Sequence, residues 1–367
     1  MGEHCYIWVH NANFDDTSTD DRDNKITSTQ AEAMRDAFEA IYPEITNLLG
    51  YEIGGGPGGD GGLDGDTRVS ILFYDIRNDY SVDQWGGVLG YFWPKDGYTQ
   101  EQLDGSGYES NEAEIFYIDV HFTDFWPDGI AGTLAHEYQH MIHFAQKDRQ
   151  GVPTQTWFNE MLSMVTEDFV SETLGTTVYQ SHPSGRVGYY NGGYPVSGIV
   201  DWHYDAYNLY SYAGAYVFGA FLARNYGGAD LIHELLTNSS AGISSINAAL
   251  SHLGYSERFE DIVEEYSKVH VFPTGHADMD HGFFGTTESF GSETYRLPSF
   301  DLFDIGDGDG TYGPIVLDVE QHELPTVRPY GFQTWSAPAW QNLPTDTFTV
   351  ELERPANASV QLYLMVK

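Results

Sequence analysis

Residues 136–140 of the chain are His-Glu-Tyr-Gln-His, and the apolar residues around them recur at helical spacing. In an α-helix, residues four apart lie one above the other on the same face. The imidazoles of His136 and His140 can therefore converge on one point, with Glu137 beside the first of them. The pattern predicts one helix that presents both rings to a shared point. The alternative is an amphipathic surface helix that carries two solvated histidines.

The two histidines and the glutamate between them suit the chemistry of a zinc ion. Zinc accepts imidazole nitrogen at about 2.0–2.1 Å and favours four ligands in tetrahedral geometry. Glu137 can reach a water molecule on the ion rather than the ion itself, and zinc lowers the pKa of such a water to about 7. The motif therefore predicts a hydrolytic metal centre with Glu137 as its general base.

A second helical segment, which begins near Trp157, offers a third ligand. Glu160 follows His140 with room for a helix end, a turn and a new helix packed antiparallel. A carboxylate there completes a site of two histidines and one glutamate, with water in the fourth position. Glu167, two turns further on, can orient one histidine or be a solvated charge on the outer face. His143 can share the ligand face, but we interpret it as a packing histidine or as one that supports a ligand.

The charge and composition of the chain exclude several classes of protein. Of its 367 residues, 55 are acidic and 16 basic, which gives a net charge of −39. Such a surface repels phosphate backbones, so we expect no nucleic-acid partner. The longest apolar run, Ala215–Ala223, is broken by Gly219, and no segment is expected to span a membrane. Cys5 is the only cysteine, so no disulfide framework can form within the chain.

The acidic excess itself has three interpretations. They are a saline habitat in which self-repulsion is screened, calcium binding by aspartates in loops, and simple solubility of a secreted protein. Hydrophobic residues make up 41% of the chain and aromatic residues 15%, enough for a large core, so the charge does not indicate disorder. The first residues lack the basic and apolar runs of a signal peptide, which is compatible with a trimmed mature form.

The apolar pattern predicts an α+β fold in three parts. Residues 1–126 combine short β-rich runs with one helix that is capped by Ser28 or Thr29 and ends before Pro43. Residues 127–283 are mainly helical, and residues 284–367 are typical of a small antiparallel β module such as a sandwich. The predicted strands are Cys5–Val9, Val69–Tyr74, Ile115–Phe122, Ile315–Val319, Phe348–Leu352 and Val360–Val366. The predicted helices of the middle part are Ile130–Gln146, Trp157–Leu174, Tyr207–Tyr226 and Ile262–Val269.

Several stretches of the sequence resemble known metallopeptidases. The His136-Glu137-x-x-His140 motif followed by Asn159-Glu160 is similar to the gluzincins, the group of thermolysin-like and one-zinc aminopeptidases. The longer strings at residues 110–119, 133–140 and 157–163 are closer to the hyicolysin-like secreted metallopeptidases. The resemblance covers roughly the first two thirds of the chain and is weakest after Phe283.

This resemblance implies a zincin catalytic unit of the thermolysin type, with an N-terminal mixed sheet, an active-site helix and then a helical lobe. It implies a secreted zinc endopeptidase that acts on proteins or peptides. The implied ligands are His136, His140 and Glu160, and the implied base is Glu137. It also implies that Ile115–Asp119 is the edge strand above the cleft, where an extended substrate can add as a further strand.

Gluzincins also use a tyrosine or histidine to stabilise the oxyanion that forms during hydrolysis. In the aminopeptidase branch a tyrosine precedes a helix that ends in Gly-Gly, and Tyr212 lies at the matching distance from Gly227-Gly228. Tyr212 is therefore the candidate, although it can also belong to an aromatic core stripe. The competing tyrosines are Tyr207, Tyr210 and Tyr216. Met164 occupies the place where thermolysin relatives have an acidic residue, which leaves Glu167 as the substitute.

Two groups of aspartates between glycines are candidate calcium sites, because calcium takes oxygen ligands at about 2.3–2.6 Å. The groups are Asp304, Asp307 and Asp309, and Asp60, Asp64 and Asp66. Neither has the full EF-hand pattern with its terminal glutamate, and a hydrated acidic turn is the alternative for each.

Two other functions compete with that of an endopeptidase. A zinc aminopeptidase needs an acidic anchor for the free amine, and we find no loop of the G-x-M-E-N type that would supply it. A non-catalytic surface binding protein on a zincin scaffold would need no base, and the intact Glu137 argues against it. The sequence gives no indication of an oligomeric state.

Overall fold

The computed structural model describes residues 1–19, 23–81, 87–121, 130–176, 185–307, 310–318 and 326–336, with a few single residues near the C terminus. It has the expected α+β organisation, in which a mixed sheet and a long helix precede a group of helices and then short strands. The strands are β1 (Cys5–Val9), β2 (Val69–Tyr74), β3 (Gly90–Phe92), β4 (Ile115–Asp119), β5 (Thr286–Phe290), β6 (Glu293–Leu297), β7 (Leu317–Asp318) and β8 (Trp335–Ser336). The helices are α1 (Ser28–Leu49), α2 (Ile130–Gln146), α3 (Thr156–Phe169), α4 (Ser171–Leu174), α5 (Arg186–Gly193), α6 (Asn208–Asn225), α7 (Gly228–Thr237), α8 (Gly242–His252) and α9 (Phe259–Ser267).

The N-terminal sheet has the strand order β1-β2-β4-β3. The first three of these run parallel, with Ile71 of β2 opposite Ile7 of β1 and Phe116 of β4, and β3 runs antiparallel to β4. The expectation that Ile115–Asp119 is the edge strand is therefore wrong. Among the described strands β3 takes that edge, and all five residues of β4 are buried, as in a strand covered on both faces. The chain leaves β4 at Asp119, earlier than predicted.

Helix α1 starts earlier than predicted and continues through Pro43. Thr27 caps it, since its side chain accepts the N–H of Gln30 while the Gln30 side chain accepts the N–H of Thr27. Pro43 removes one helical hydrogen bond, at a cost of about 3 kcal/mol in a helix interior. The helix nevertheless reaches Leu49, because apolar side chains on both sides of the proline are buried. Each buried large side chain contributes about 1.5–3 kcal/mol, so their sum exceeds that cost.

The helical part follows the prediction with one interruption. The predicted helix Trp157–Leu174 is divided into α3 and α4 at Val170, and helices α5, α7 and α8 lie outside the predicted segments. Helix α3 packs against both α2 and α6. Gly219 of α6 allows this close approach, since a Cβ there would fall 2.5 Å from a methyl group of Val165. In the described parts of the chain, no helix is both long enough and apolar enough to cross a bilayer.

Beyond the helices, β5 and β6 form an antiparallel hairpin that packs on α1, α3 and α7. The buried Tyr295 donates its hydroxyl hydrogen to the carbonyl oxygen of Glu44 at 2.7 Å, and its ring contacts Phe169. The next pair, β7 and β8, is parallel rather than antiparallel as predicted, because a long connection and not a tight turn joins the two strands. Outside the described residues lie Val319, the predicted strand Phe348–Leu352 and most of Val360–Val366. The division of the chain at residues 126 and 283 stays a prediction.

Candidate metal centre

Helices α2 and α3 bring three potential metal ligands together. His136 and His140 lie one turn apart on α2, and Glu160 lies on α3. One ligand atom from each of these side chains lies within 4.8 Å of the other two. Oε2 of Glu160 is 3.1 Å from Nε2 of His136 and 3.6 Å from Nε2 of His140. The three predicted ligands thus converge through their imidazole Nε2 and carboxylate atoms.

The apolar residues of both helices position this group. Leu134 and Ile142 of α2 and Leu162 of α3 are fully buried, so the polar faces of the two helices meet inside the molecule. Gly132, one turn before His136, leaves space for a carboxylate, since a Cβ there would lie 3.0 Å from Oε2 of Glu167. A larger residue at this position would push that carboxylate away from α2.

Protein groups hold the second nitrogen of each imidazole. Nδ1 of His136 lies 2.8 Å from Oε1 of Glu167, and Nδ1 of His140 lies 3.1 Å from both Oδ1 of Asn159 and Oγ of Ser163. Such contacts fix the orientation of a ligating ring and direct its other nitrogen to the metal. Sequence reasoning did not assign this role to Asn159 or Ser163. Their positions on the helix turn that carries Glu160 are the signal that could have found them.

The electrostatics of the centre attract positive charge. Burial opposes protonation of His136, but its hydrogen bonds to Glu160 and Glu167 outweigh burial and raise the pKa of its imidazole to about 10. Burial alone would raise the pKa of Glu160, yet the charge of His140 and the hydrogen bond to His136 hold that pKa well below its usual range. Two imidazole nitrogens and one carboxylate oxygen are a donor set that zinc takes, so these residues fit that ion.

Glu137 is buried next to the ligand group. Burial raises the pKa of its carboxyl, and the charges of His136 and His140 oppose this. The backbone N–H of Phe92, in the edge strand β3, donates to the Glu137 carboxylate. This contact connects the carboxylate to the outermost of the described strands of the sheet.

Tyr212 of α6 lies near the same carboxylates. The charge of Glu160, then burial and the charge of Glu137, raise the pKa of its phenol well above the usual range. Its ring meets that of Trp202 edge-on, with the centroids 4.9 Å apart. The competing tyrosines make other contacts, Tyr216 with Phe300 and Tyr207 with Tyr210. The negative charges of Glu160 and Glu137 therefore act directly on the phenol of Tyr212.

Arg186, at the start of α5, is a residue that sequence reasoning missed. It is only 7% exposed, and its guanidinium carbon lies 5.4 Å from the centre of the Tyr212 ring. Burial lowers its pKa, and the charge of Glu167 is the main opposing influence. Within the described part of the chain, its Nε has no hydrogen-bond partner. Because only 16 of the 367 residues are basic, one arginine in an apolar and aromatic segment is the signal that could have found it.

The ligand group that converges among the described residues does not include His143. Its Nε2 lies 2.9 Å from Oγ1 of Thr154, and its ring meets Phe158 edge-on. Burial lowers the pKa of His143 to about 3, so the ring is neutral at physiological pH. Whether it supports a ligand stays a prediction.

The candidate calcium clusters differ in how far the structure describes them. Asp309 lies outside the described residues, so the cluster with Asp304 and Asp307 stays a prediction. In the other cluster Asp66 pairs with Arg68, and its carboxylate does not converge with those of Asp60 and Asp64. The second converging group that the described residues contain was not predicted; it consists of Asp75, Asp79 and Asp119.

Comparison with known proteins agrees with the geometry of this centre. The sequence profile of the peptidase M30 family matches residues 5–301, which include the whole ligand group. The chain is also 27% identical over 269 residues to the neutral metalloprotease ShpI of Staphylococcus hyicus. That match covers 69% of this chain and 53% of the relative, so the chain spans about half of the relative's length. The chain belongs to the peptidase M30 family, the hyicolysin-like metallopeptidases that its motifs resemble.

Proposed function

We propose that this chain is a zinc-dependent endopeptidase. The convergence of His136, His140 and Glu160 beside the buried Glu137 is the observation that carries this proposal. Membership of the M30 family and the similarity to a neutral metalloprotease support it. The donor set favours zinc over calcium, because calcium takes oxygen ligands and two of these three are nitrogens.

In the proposed reaction, each residue near the ligands has one task. When bound, zinc lowers the pKa of a water molecule to about 7 and polarises the peptide carbonyl. Glu137 accepts a proton from the attacking water and then gives it to the amine that leaves. The water oxygen joins the carbonyl carbon as the bond from that carbon to nitrogen breaks. Glu167, Asn159 and Ser163 keep both imidazoles turned toward the ion.

Tyr212 and Arg186 are proposed to bind the oxygens of the substrate. The hydroxyl of Tyr212 donates to the carbonyl oxygen as that oxygen becomes negative, and its raised pKa keeps the phenol protonated. Arg186 carries an unused Nε–H beside Tyr212, and a guanidinium suits a neighbouring carbonyl oxygen.

We also propose that an extended substrate binds along the outer edge of β3. The substrate would continue the sheet by pairing with this strand, as in other β-augmented complexes. The contact between Phe92 and Glu137 supports this, because it brings the edge strand to the base. A peptide bound in this way extends past the metal on both sides, which suits cleavage of internal bonds. Secretion belongs to the same proposal and is supported by the resemblance to secreted metallopeptidases.

The replacement Glu137→Gln tests the assignment of the base. Casein hydrolysis is expected to fall by roughly 10²–10⁴-fold, because general base catalysis contributes about that factor. Zinc content, measured by elemental analysis, should stay at the wild-type level, since Glu137 is not a ligand. The matched control is Glu172→Gln, which changes an exposed carboxylate paired with Arg296 and should leave hydrolysis unchanged. Near-normal turnover of Glu137→Gln would contradict the base, and zinc without hydrolysis in the wild type would favour a binding protein.

Peptides with blocked and free N termini separate the endopeptidase from the aminopeptidase. We expect internal cleavage of both peptides at comparable rates, because no anchor for a free amine is part of the proposed site. Cleavage that requires the free amine and releases single residues would contradict the endopeptidase.

A further inference from the structure

Glu114, the residue just before β4, is a buried carboxylate that the proposed reaction does not use. Its side chain is only 6% exposed. Within the described part of the chain, no side chain donates to its carboxylate oxygens and no ion pair involves it, and the backbone N–H of Leu63 in the loop above is a donor near to them. Burial of a charged group without a partner is energetically costly. One backbone N–H does not neutralise a buried carboxylate, so Glu114 is stabilised by either a proton or a cation.

Residues 51–66, the glycine-rich loop, cover this carboxylate with bare backbone. A Cβ at Gly62 would fall 2.2 Å from Oε1 and 2.6 Å from Oε2 of Glu114. A Cβ at Gly54 would fall 1.8 Å from the nitrogen of Gly62, so two parts of the loop cross directly above the carboxylate. Both glycines have positive φ, at 68° for Gly54 and 60° for Gly62. The loop thus brings backbone groups closer to Glu114 than any side chain would allow.

Glu52, at the start of the same loop, is a buried carboxylate that does have side-chain hydrogen-bond donors, unlike Glu114. It is 5% exposed, yet the hydroxyls of Tyr42 and Tyr138 donate to its two oxygens at 3.1 Å and 2.6 Å. Glu114 is equally buried and has no such donors among the described residues. The negative charge of Glu52 also acts on Glu114 and makes a second charge there less favourable.

The groups near Glu114 that could bind a metal ion are carboxylate oxygens and backbone groups of the loop. Burial raises the pKa of its carboxyl to about 7, the charge of the exposed Asp64 adds to this, and backbone N–H groups, among them that of Leu63, oppose it. Calcium takes six to eight oxygen ligands from carboxylates, backbone carbonyls and water in flexible geometry. Residues 51–66 contain neither histidine nor cysteine, the ligands that would favour zinc.

We propose that Glu114 and the glycine-rich loop form a calcium site. Glu114 is its buried ligand, Asp64 its solvent-facing carboxylate, and carbonyl oxygens of the loop complete the shell. The site is separate from the zinc ligands and does not depend on the proposed peptidase activity. Its role is to tie the loop to the start of β4, next to the sheet on which α2 packs.

Thermal unfolding of the full chain with and without calcium tests this site, with zinc held constant. Calcium at about 100 times its Kd should raise the melting temperature by roughly 3–4 °C. Glu114→Gln keeps the shape of the side chain but removes its charge, and should abolish this rise. Glu101→Gln, which removes an exposed carboxylate, is the matched control and should keep the rise.

Terbium luminescence provides a second readout that does not require a stable Glu114→Gln variant. The Tyr51 ring lies against Gly56 of the loop and can sensitise a terbium ion bound there. Calcium should displace that signal in the wild type, and Asp64→Asn should weaken calcium binding about tenfold or more. The proposal is wrong if calcium does not change the melting temperature of the wild type, or if Glu114→Gln keeps the full rise. In either case Glu114 is stabilised by a proton instead.

Discussion

The two sides of helix α2 handle buried carboxylates in different ways. Toward α3, Glu160 meets the imidazoles of His136 and His140, and the Nε2 atoms of both rings face its carboxylate. Toward the glycine-rich loop, Tyr138 of the same helix gives Glu52 a hydroxyl donor, and Glu114 has none among the described residues. A carboxylate with nitrogen partners suits zinc, whereas one with only oxygen and backbone neighbours suits a harder ion. The chemical class of the neighbours, more than burial, decides the function of a buried acid.

After Glu137→Gln, the largest effect is expected from Tyr212→Phe, on the side of α2 that faces α3. Loss of the hydroxyl should lower kcat by about 10²–10³-fold, as for other single oxyanion donors. Zinc content and melting temperature should stay close to the wild type, because the ring and its contact with Trp202 remain. Tyr210→Phe is the control, since its ring packs on Gly193 instead. An equal fall of kcat in both variants would move the oxyanion donor elsewhere.

The next largest effect concerns how the free energy of unfolding depends on pH when calcium is absent. It comes from Glu114, on the side of α2 that faces the glycine-rich loop. The pKa of Glu114 rises from 4.5 to about 7 on folding, so the folded state holds a proton more tightly than the unfolded state. The associated stability is fully present below pH 4.5 and is lost as the pH rises through about 7. It amounts to at most about 3 kcal/mol. Relative to Glu114→Gln, the wild type should lose free energy of unfolding between pH 5 and 8.

Urea unfolding of both proteins at several pH values measures this difference. Calcium should remove most of it, because the cation replaces the proton. If both proteins show the same pH dependence without calcium, Glu114 is not the titrating group and the comparison between the two sides of α2 fails there.

A smaller effect is expected when the imidazole of His136 loses the carboxylate that orients it. Glu167→Gln keeps an acceptor near Nδ1 of His136 but removes the charge, and should weaken zinc binding by about 10–100-fold. Competition with a zinc chelator measures the affinity. Glu264→Gln on the exposed face of α9 is the control. Unchanged affinity in Glu167→Gln would show that this carboxylate does not support the metal.

The smallest effect should come from Tyr138→Phe. Although Tyr138 lies inside the His-Glu-x-x-His motif, its hydroxyl donates to Glu52 and not to the metal side. Its loss should lower the free energy of unfolding by about 1–2 kcal/mol, the cost of a buried acceptor without its donor. Turnover per folded molecule should not change. A loss of turnover at unchanged stability would show that the two sides of α2 are coupled.

The group of three potential metal ligands could be predicted from the sequence because it depends on local geometry. The spacing of His136 and His140 is fixed by one helical turn, and Glu160 follows on the next helix of the chain. Arg186 could not be found in this way. Its partners Tyr212 and Glu167 lie on other helices, so only the packing of α3, α5 and α6 brings them together.

Two errors in the fold prediction have a common cause in tertiary packing. Gly90–Phe92 is too short to show a strand pattern, so the sequence does not reveal the strand that covers Ile115–Asp119, the edge that the family resemblance implied. Pro43 normally ends a helix, but the buried face of α1 carries it through. Glu114 could not be found for the same reason. Nothing in its sequence neighbourhood indicates that it is covered by a loop that lies more than forty residues earlier in the chain.

Zinc content in the wild type and in Glu160→Ala tests the central claim most directly. Elemental analysis should find about one zinc ion per wild-type chain and almost none in Glu160→Ala, since a three-ligand site that loses its carboxylate keeps only two imidazoles. Glu264→Ala, prepared in the same way, should match the wild type. Equal zinc in Glu160→Ala and the wild type, or none in either, would contradict a metal centre built from His136, His140 and Glu160.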